Sequence, residues 1–80
     1  MSHDEIFTKL TDVFRDVFDQ PELELRPEMR APDVKGWDSL GHIMLIVAVE
    51  KGFAVRLTTS EIQSLSNVGD LSQLVASKLA

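Results

Sequence analysis

The stretch whose residue types and order could do chemistry is Gly36-Trp37-Asp38-Ser39-Leu40-Gly41-His42-Ile43. A turn residue is followed by an aspartate of the kind that caps free helix amides, then by a serine in the first helical turn, then by an apolar run. A serine in that position faces solvent. The unpaired amides and partial positive charge of a helix N-terminus favour a phosphate on its hydroxyl, by about 0.3–1 kcal/mol at an exposed site. Ser39 is therefore suited to carry a phosphodiester. His42, three residues later, shares its helix surface and could be read as the general base of a nucleophilic serine. That reading lacks an orienting acid and an oxyanion hole, and Trp37 and Leu40 break the glycine pattern of a nucleophile elbow. A surface histidine able to touch a phosphate when protonated is the better expectation. The chain has no cysteine, so any thiol chemistry would come from a group added after translation.

The elements that must hold this stretch are helices. Ser2 and Glu5 form a capping-box pattern, and Ile6, Leu10, Val13, Phe14 and Val17 recur at helical spacing, with Phe7 and Phe18 widening the stripe. The spacing predicts a first helix from about Asp4 to Phe18. From Gln20 to Gly36 come all three prolines, Pro21, Pro27 and Pro32, with Leu23, Leu25, Met29 and Val34 in no helical period. A loop of that length in a small domain is expected to be pinned across the helices as a packed strap. Helix two should start at Asp38 and close near Gly52. Its residues from Ile43 to Val49 are all apolar, so it is either buried on every side or presents greasy surface to a partner. A short helical turn follows over Thr58–Leu65. Asn67-Val68-Gly69-Asp70 then opens a last helix carrying Leu71, Leu74, Val75 and Leu79 on one stripe. The expected fold is all-α: three main helices plus one short one, with a long loop between helices one and two, as a single domain over 1–80.

Composition narrows the function. Eighty residues with 44% apolar side chains suit one modest core of about 3–5 kcal/mol and leave little room for an enzyme's active site. Thirteen acidic against eight basic residues, a net charge of -5, repel nucleic acid and attract basic partners. The first residues have neither the basic start nor the apolar stretch of a secretory signal, and no segment has the length of a membrane span, so a cytoplasmic location is the expectation.

Asp38-Ser39-Leu40 resembles the Asp-Ser-Leu signature of acyl carrier proteins, and its place near mid-chain after a long loop agrees, as do Phe53 and Val68-Gly69-Asp70. The resemblance covers nearly the whole chain. It implies a non-enzymatic, monomeric carrier on which a phosphopantetheinyl transferase places 4'-phosphopantetheine at Ser39, flanked by Asp38 and Leu40. Acyl-loading and acyl-transfer enzymes of fatty-acid, polyketide or specialised lipid synthesis would be its partners. The arm ends in a thiol, which lets a protein without cysteine hold thioesters and raises the effective concentration of cargo at each enzyme. The resemblance further implies an acyl pocket, for which Ile43, Leu45, Ile46, Val49, Ile62 and Leu65 are the candidates.

Carriers of primary fatty-acid synthesis usually have several acids along helix two, whereas here the helix keeps only Asp38 and Glu50. Leu40, Ile43, Met44, Val47 and Glu50 are the docking candidates, with Met44 and Val47 either exposed for mainly apolar docking or packed under the loop. Trp37 either anchors the loop onto the helix end or meets a partner. Gly36 suits a turn, and Gly41 suggests a close approach beside Ser39, by the arm or a partner, that offsets a helix cost of about 1 kcal/mol. An aminoacyl or peptidyl carrier of nonribosomal synthesis, and an unmodified helical interaction module, stand as alternatives.

Overall fold

The computed structural model describes residues 2–79, and among these all regular structure is helical. Four α-helices follow in order: α1 (His3–Val17), α2 (Ser39–Phe53), the short α3 (Thr59–Gln63) and α4 (Val68–Leu79), with one 3-10 turn at Ala31–Asp33 in the long loop. This is the all-α arrangement of three main helices and one short one that the sequence leads one to expect. α1 begins where the capping box predicts, the Glu5 amide donating to the Ser2 hydroxyl and the Ser2 amide to the Glu5 carboxylate. Its buried Ile6, Leu10 and Phe14 are spaced four apart, and α1 packs along α2 and α4 through that stripe.

The loop between α1 and α2 is a strap. Leu25, Met29 and Val34 are buried in the core that Leu45, Ile46, Val49, Phe53, Leu71 and Val75 also build. Polar ties fix its course: the Arg15 guanidinium donates to the Leu23 carbonyl at 2.8 Å, and the Gln20 amide to that of Lys35 at 2.7 Å. The strap also completes α4, whose first amides have no partner within the helix. Val68 donates to the Met29 carbonyl at 2.9 Å and Gly69 to that of Pro27 at 2.8 Å, while Asn67 Oδ1 accepts from the Asp70 amide at 2.8 Å.

α2 is apolar all round, and the structure resolves this into two faces. Leu45, Ile46, Val49 and Phe53 face the core, and Leu40, Ile43, Met44 and Val47 face outward. The helix ends one residue past the expected Gly52, because Ala54 takes the left-handed conformation (φ 55°) and returns its amide to the Glu50 carbonyl. The Glu50 carboxylate accepts from the Leu57 amide at 3.0 Å and so fixes the connection toward α3.

Gly41 has a more local role than the one expected. A Cβ there would overlap the Gly36 carbonyl oxygen and crowd the Phe18 ring, so the close approach is the strap's own end and not a prosthetic arm or a partner. Gly36 makes this possible by turning at φ +90°. Although alanine is the better helix former, Gly41→Ala should destabilise the fold by about 1–3 kcal/mol through overpacking, read as a lower melting temperature.

A second outcome concerns α3. The Glu61 carboxylate accepts from the Thr58 amide at 2.8 Å and pairs with Lys78 of α4 at 2.9 Å. The Thr58 amide first, and Lys78 next, hold its carboxyl below the ordinary glutamate value. A lowered pKa contributes stability that is present above the unfolded-state value and is lost as pH falls through the folded one. Glu61→Gln should therefore melt earlier than wild type at neutral pH, and the gap should close in acid below the usual glutamate range.

Candidate functional site

The site is built at the point where the strap meets α2. Asp38 is the N-cap of α2, its Oδ1 accepting from the Gly41 amide at 2.8 Å. Ser39 follows as the first helical residue, exposed, with Leu40 exposed beside it. The residues of the Asp38-Ser39-Leu40 triplet thus have distinct positions: the aspartate satisfies an orphan amide, the serine hydroxyl stands free in the first turn, and the leucine starts the outward ridge.

Below the serine the strap is anchored by an aromatic cluster. Trp37 meets Phe14 edge-on at 5.2 Å between ring centroids and lies 6.2 Å from Phe18. Of the two roles considered for Trp37, the anchoring one is realised, with its ring half-buried against the core. Its indole N–H reaches the other way, donating to His42 Nδ1 at 3.1 Å, with the two rings nearly parallel. No property of the sequence pointed to that bond; the five-residue separation meets only because Trp37 is folded back over the helix start.

Ser39 borders an open cavity of about 480 Å³. Trp37, Asp38, Ser39 and His42 form one wall; Ala31, Leu65, Ser66, Asn67 and Leu71 form the rest. A cavity of this size, apolar below and polar at the rim, can take a slender flexible chain. The six residues named for an acyl pocket lie mostly away from this cavity. Of the six candidates only Leu65 lines it. Leu45, Ile46 and Val49 are packed in the core, Ile62 lies half-buried against that core, and Ile43 points to solvent. The helical pattern identified apolar positions correctly but could not say which of them border a gap. Ser66 and Asn67 line the cavity because the cap of α4 lies where α4 meets the strap.

The docking candidates divide in the same way. Leu40, Ile43, Met44 and Val47 are 66%, 62%, 48% and 45% exposed and fall at i, i+3, i+4 and i+7, one continuous face. Met44 and Val47 are thus not packed under the loop. Glu50 differs from these four: it is half-buried, and one of its carboxylate oxygens accepts from the Leu57 amide. Among the described residues no group of histidine and carboxylate side chains could hold a metal, and no helix is long and apolar enough to cross a membrane.

The geometry fits a covalently held phosphate-linked arm: a free hydroxyl at a helix start, the positive end of α2 beneath it, and a cavity beside it. Known proteins point the same way. Residues 8–75 match the family model described as a phosphopantetheine attachment site. An acyl carrier protein of Acidothermus cellulolyticus is 33% identical over 76 residues, spanning 95% of this chain and 90% of that protein. One from Thermotoga maritima is 28% identical over 78 residues, spanning 98% and 96%. The solution structure of a holo acyl carrier protein from Geobacter metallireducens superposes with a TM-score of 0.82 at 46% identity, covering 88% of this chain and 80% of that one. The chain belongs to the acyl carrier protein family, non-enzymatic carriers whose cofactor is a covalently attached 4'-phosphopantetheine.

Proposed function

We propose that the 80 residues form one carrier domain that bears its 4'-phosphopantetheine on Ser39 and serves, as a cytoplasmic monomer, a specialised acyl pathway in place of primary fatty-acid synthesis. The observation that carries the attachment site is the free Ser39 hydroxyl in the first turn of α2, capped by Asp38 and bordering the cavity. The bound group supplies a thiol on a long arm, where acyl cargo is held as a thioester. The protein's own residues supply the rest. Asp38 holds the helix start in place, the exposed Leu40 lies next to the attachment point, and Trp37, seated on Phe14, anchors the end of the strap just before the serine.

The pathway reading rests on α2. A carrier that docks through charge needs several acids along this helix, yet beyond its cap α2 has Glu50 alone, half-buried and with one carboxylate oxygen on the Leu57 amide. The acids of the chain lie chiefly on α1 (Asp4, Glu5, Asp12, Asp16) and on the strap (Asp19, Glu22, Glu24, Glu28, Asp33). Docking would use the ridge of Leu40, Ile43, Met44 and Val47, with a phosphopantetheinyl transferase and acyl-handling enzymes offering apolar grooves to it. The transferase and each later enzyme must come to the same end of the helix, since that is where Ser39 stands.

Intact mass before and after treatment with coenzyme A and a broad-specificity phosphopantetheinyl transferase tests the attachment site. Wild type should gain one phosphopantetheinyl unit, and Ser39→Ala should gain none while melting within about 0.5 kcal/mol of wild type, as expected of an exposed position. A wild type that stays unmodified would return the reading to an unmodified interaction module.

Met44→Glu tests the ridge. With Met44 outward, the substitution should leave the melting temperature nearly unchanged and weaken transfer from the cognate apolar partners about tenfold, seen in KM for the carrier. It should also make the protein a better substrate for a malonyl transferase of primary fatty-acid synthesis. A large fall in melting temperature, or unchanged KM for the cognate partners, would count against apolar docking.

A further inference from the structure

His42 lies one turn after Ser39, and both border the same cavity. Its Nδ1 accepts from the Trp37 indole N–H at 3.1 Å, with the rings 14° from parallel. An indole nitrogen can only donate, so Nδ1 is the acceptor, and the proton of the neutral imidazole is on Nε2. Trp37 is itself seated on Phe14 and Phe18 of α1. The orientation and tautomer of His42 are therefore set by a ring fixed to the core.

The cavity has no lysine or arginine in its lining. Trp37 has its N–H engaged, which leaves two side-chain N–H donors: Nε2 of His42 on the α2 wall, and the amide of Asn67 opposite, whose oxygen caps Asp70. Asp38, the charged neighbour of Ser39, repels an anion and has one oxygen on the Gly41 amide. Residues three apart on a helix have Cβ atoms about 5–6 Å from each other. A phosphodiester held on Ser39 Oγ would thus lie within reach of the His42 side chain.

Resting on the reading that Ser39 bears the arm, we infer that His42 is a positioning residue for it: Nε2–H donates to a phosphodiester oxygen, and Trp37 fixes the tautomer that makes this possible. The bond is charge-assisted without a charged imidazole. It directs the arm from Ser39 over the cavity and away from the Leu40 ridge, which stays clear for partners. A hydrogen bond to the phosphate from a fixed ring reduces the number of directions in which the arm leaves the helix. Cargo would thus be presented from one side.

The test uses the full-length holo protein, its loading on Ser39 verified by mass beforehand, so that a failure to load overturns the attachment reading and leaves this one out of the comparison. Long-range proton–nitrogen spectra above pH ~8, where an ordinary histidine is neutral, should show the Nε2-protonated tautomer before and after loading. The Nε2 resonance should shift on loading. The phosphorus resonance of the arm should move in His42→Phe, return toward wild type in His42→Gln, which keeps a donor, and stay in place in Asn67→Ser. An Nε2 signal that is the same in unloaded and loaded protein, or a phosphorus signal that responds to Asn67→Ser and not to His42→Phe, would overturn the assignment. Should His42→Phe fail to fold, the wild-type Nε2 comparison alone decides.

Discussion

The structure depends on the seating of the strap's end against the start of α2. Gly36 turns the backbone so that its carbonyl lies against Gly41, leaving no room for a side chain there, and Asp38 then caps the amide of that same glycine. Two glycines and one aspartate thereby fix both the position and the direction of α2. Everything with chemical meaning follows from this contact: the exposure of Ser39, the cavity beside it, and the reach of Trp37 to His42. A helix with a looser start would still bury Leu45 and Val49, but its first serine would not be held at a defined distance from the cavity wall.

The same strap supports the other side of the cavity. Its carbonyls at Pro27 and Met29 satisfy the first amides of α4, and its Leu25, Met29 and Val34 fill the core between the helices. Burial of such side chains stabilises by about 1.5–3 kcal/mol each and opposes part of the entropy lost in ordering a loop that has almost no regular structure of its own. A long loop in an 80-residue domain is costly unless it is built in this way. Here it serves as a third structural layer, bringing the N-termini of α2 and α4 to the rim of one cavity.

Much of this was legible in the sequence because local signals are strong where they act alone. The capping boxes, the stripe of α1, the Asp38 cap and the role of Ser39 as the free hydroxyl of a helix start depend on residues a few positions apart. The strap's burial was legible from four apolar residues that had no other use. What was not legible depends on tertiary distance. α2 is apolar on all sides, so its pattern could not say which residues face inward, and Ile43 came out exposed while Leu45 and Val49 came out packed without a gap. Glu50 read as a surface acid, yet its partner is a backbone amide seven residues later. Gly41 signalled a close approach, but the partner in that approach is a carbonyl from the strap.

The two-faced character of α2 is where stability and function meet. Four large apolar side chains, 45–66% exposed, each forgo part of a burial worth about 1.5–3 kcal/mol when complete, in a domain whose net stability is of the order of 5 kcal/mol. The fold can sustain that because its inner face is sufficient: Leu45, Val49, Phe14 and Val75 are enclosed completely or nearly so. The outer face then remains free for partners, and its apolar character has a second consequence. Apolar contact is short-ranged and does not steer encounter, so a carrier of this kind would rely on its net charge of -5, spread over α1 and the strap, to bring basic partners close, and on the ridge to choose among them. In such a carrier, attraction and selection would lie on different surfaces of the same small domain.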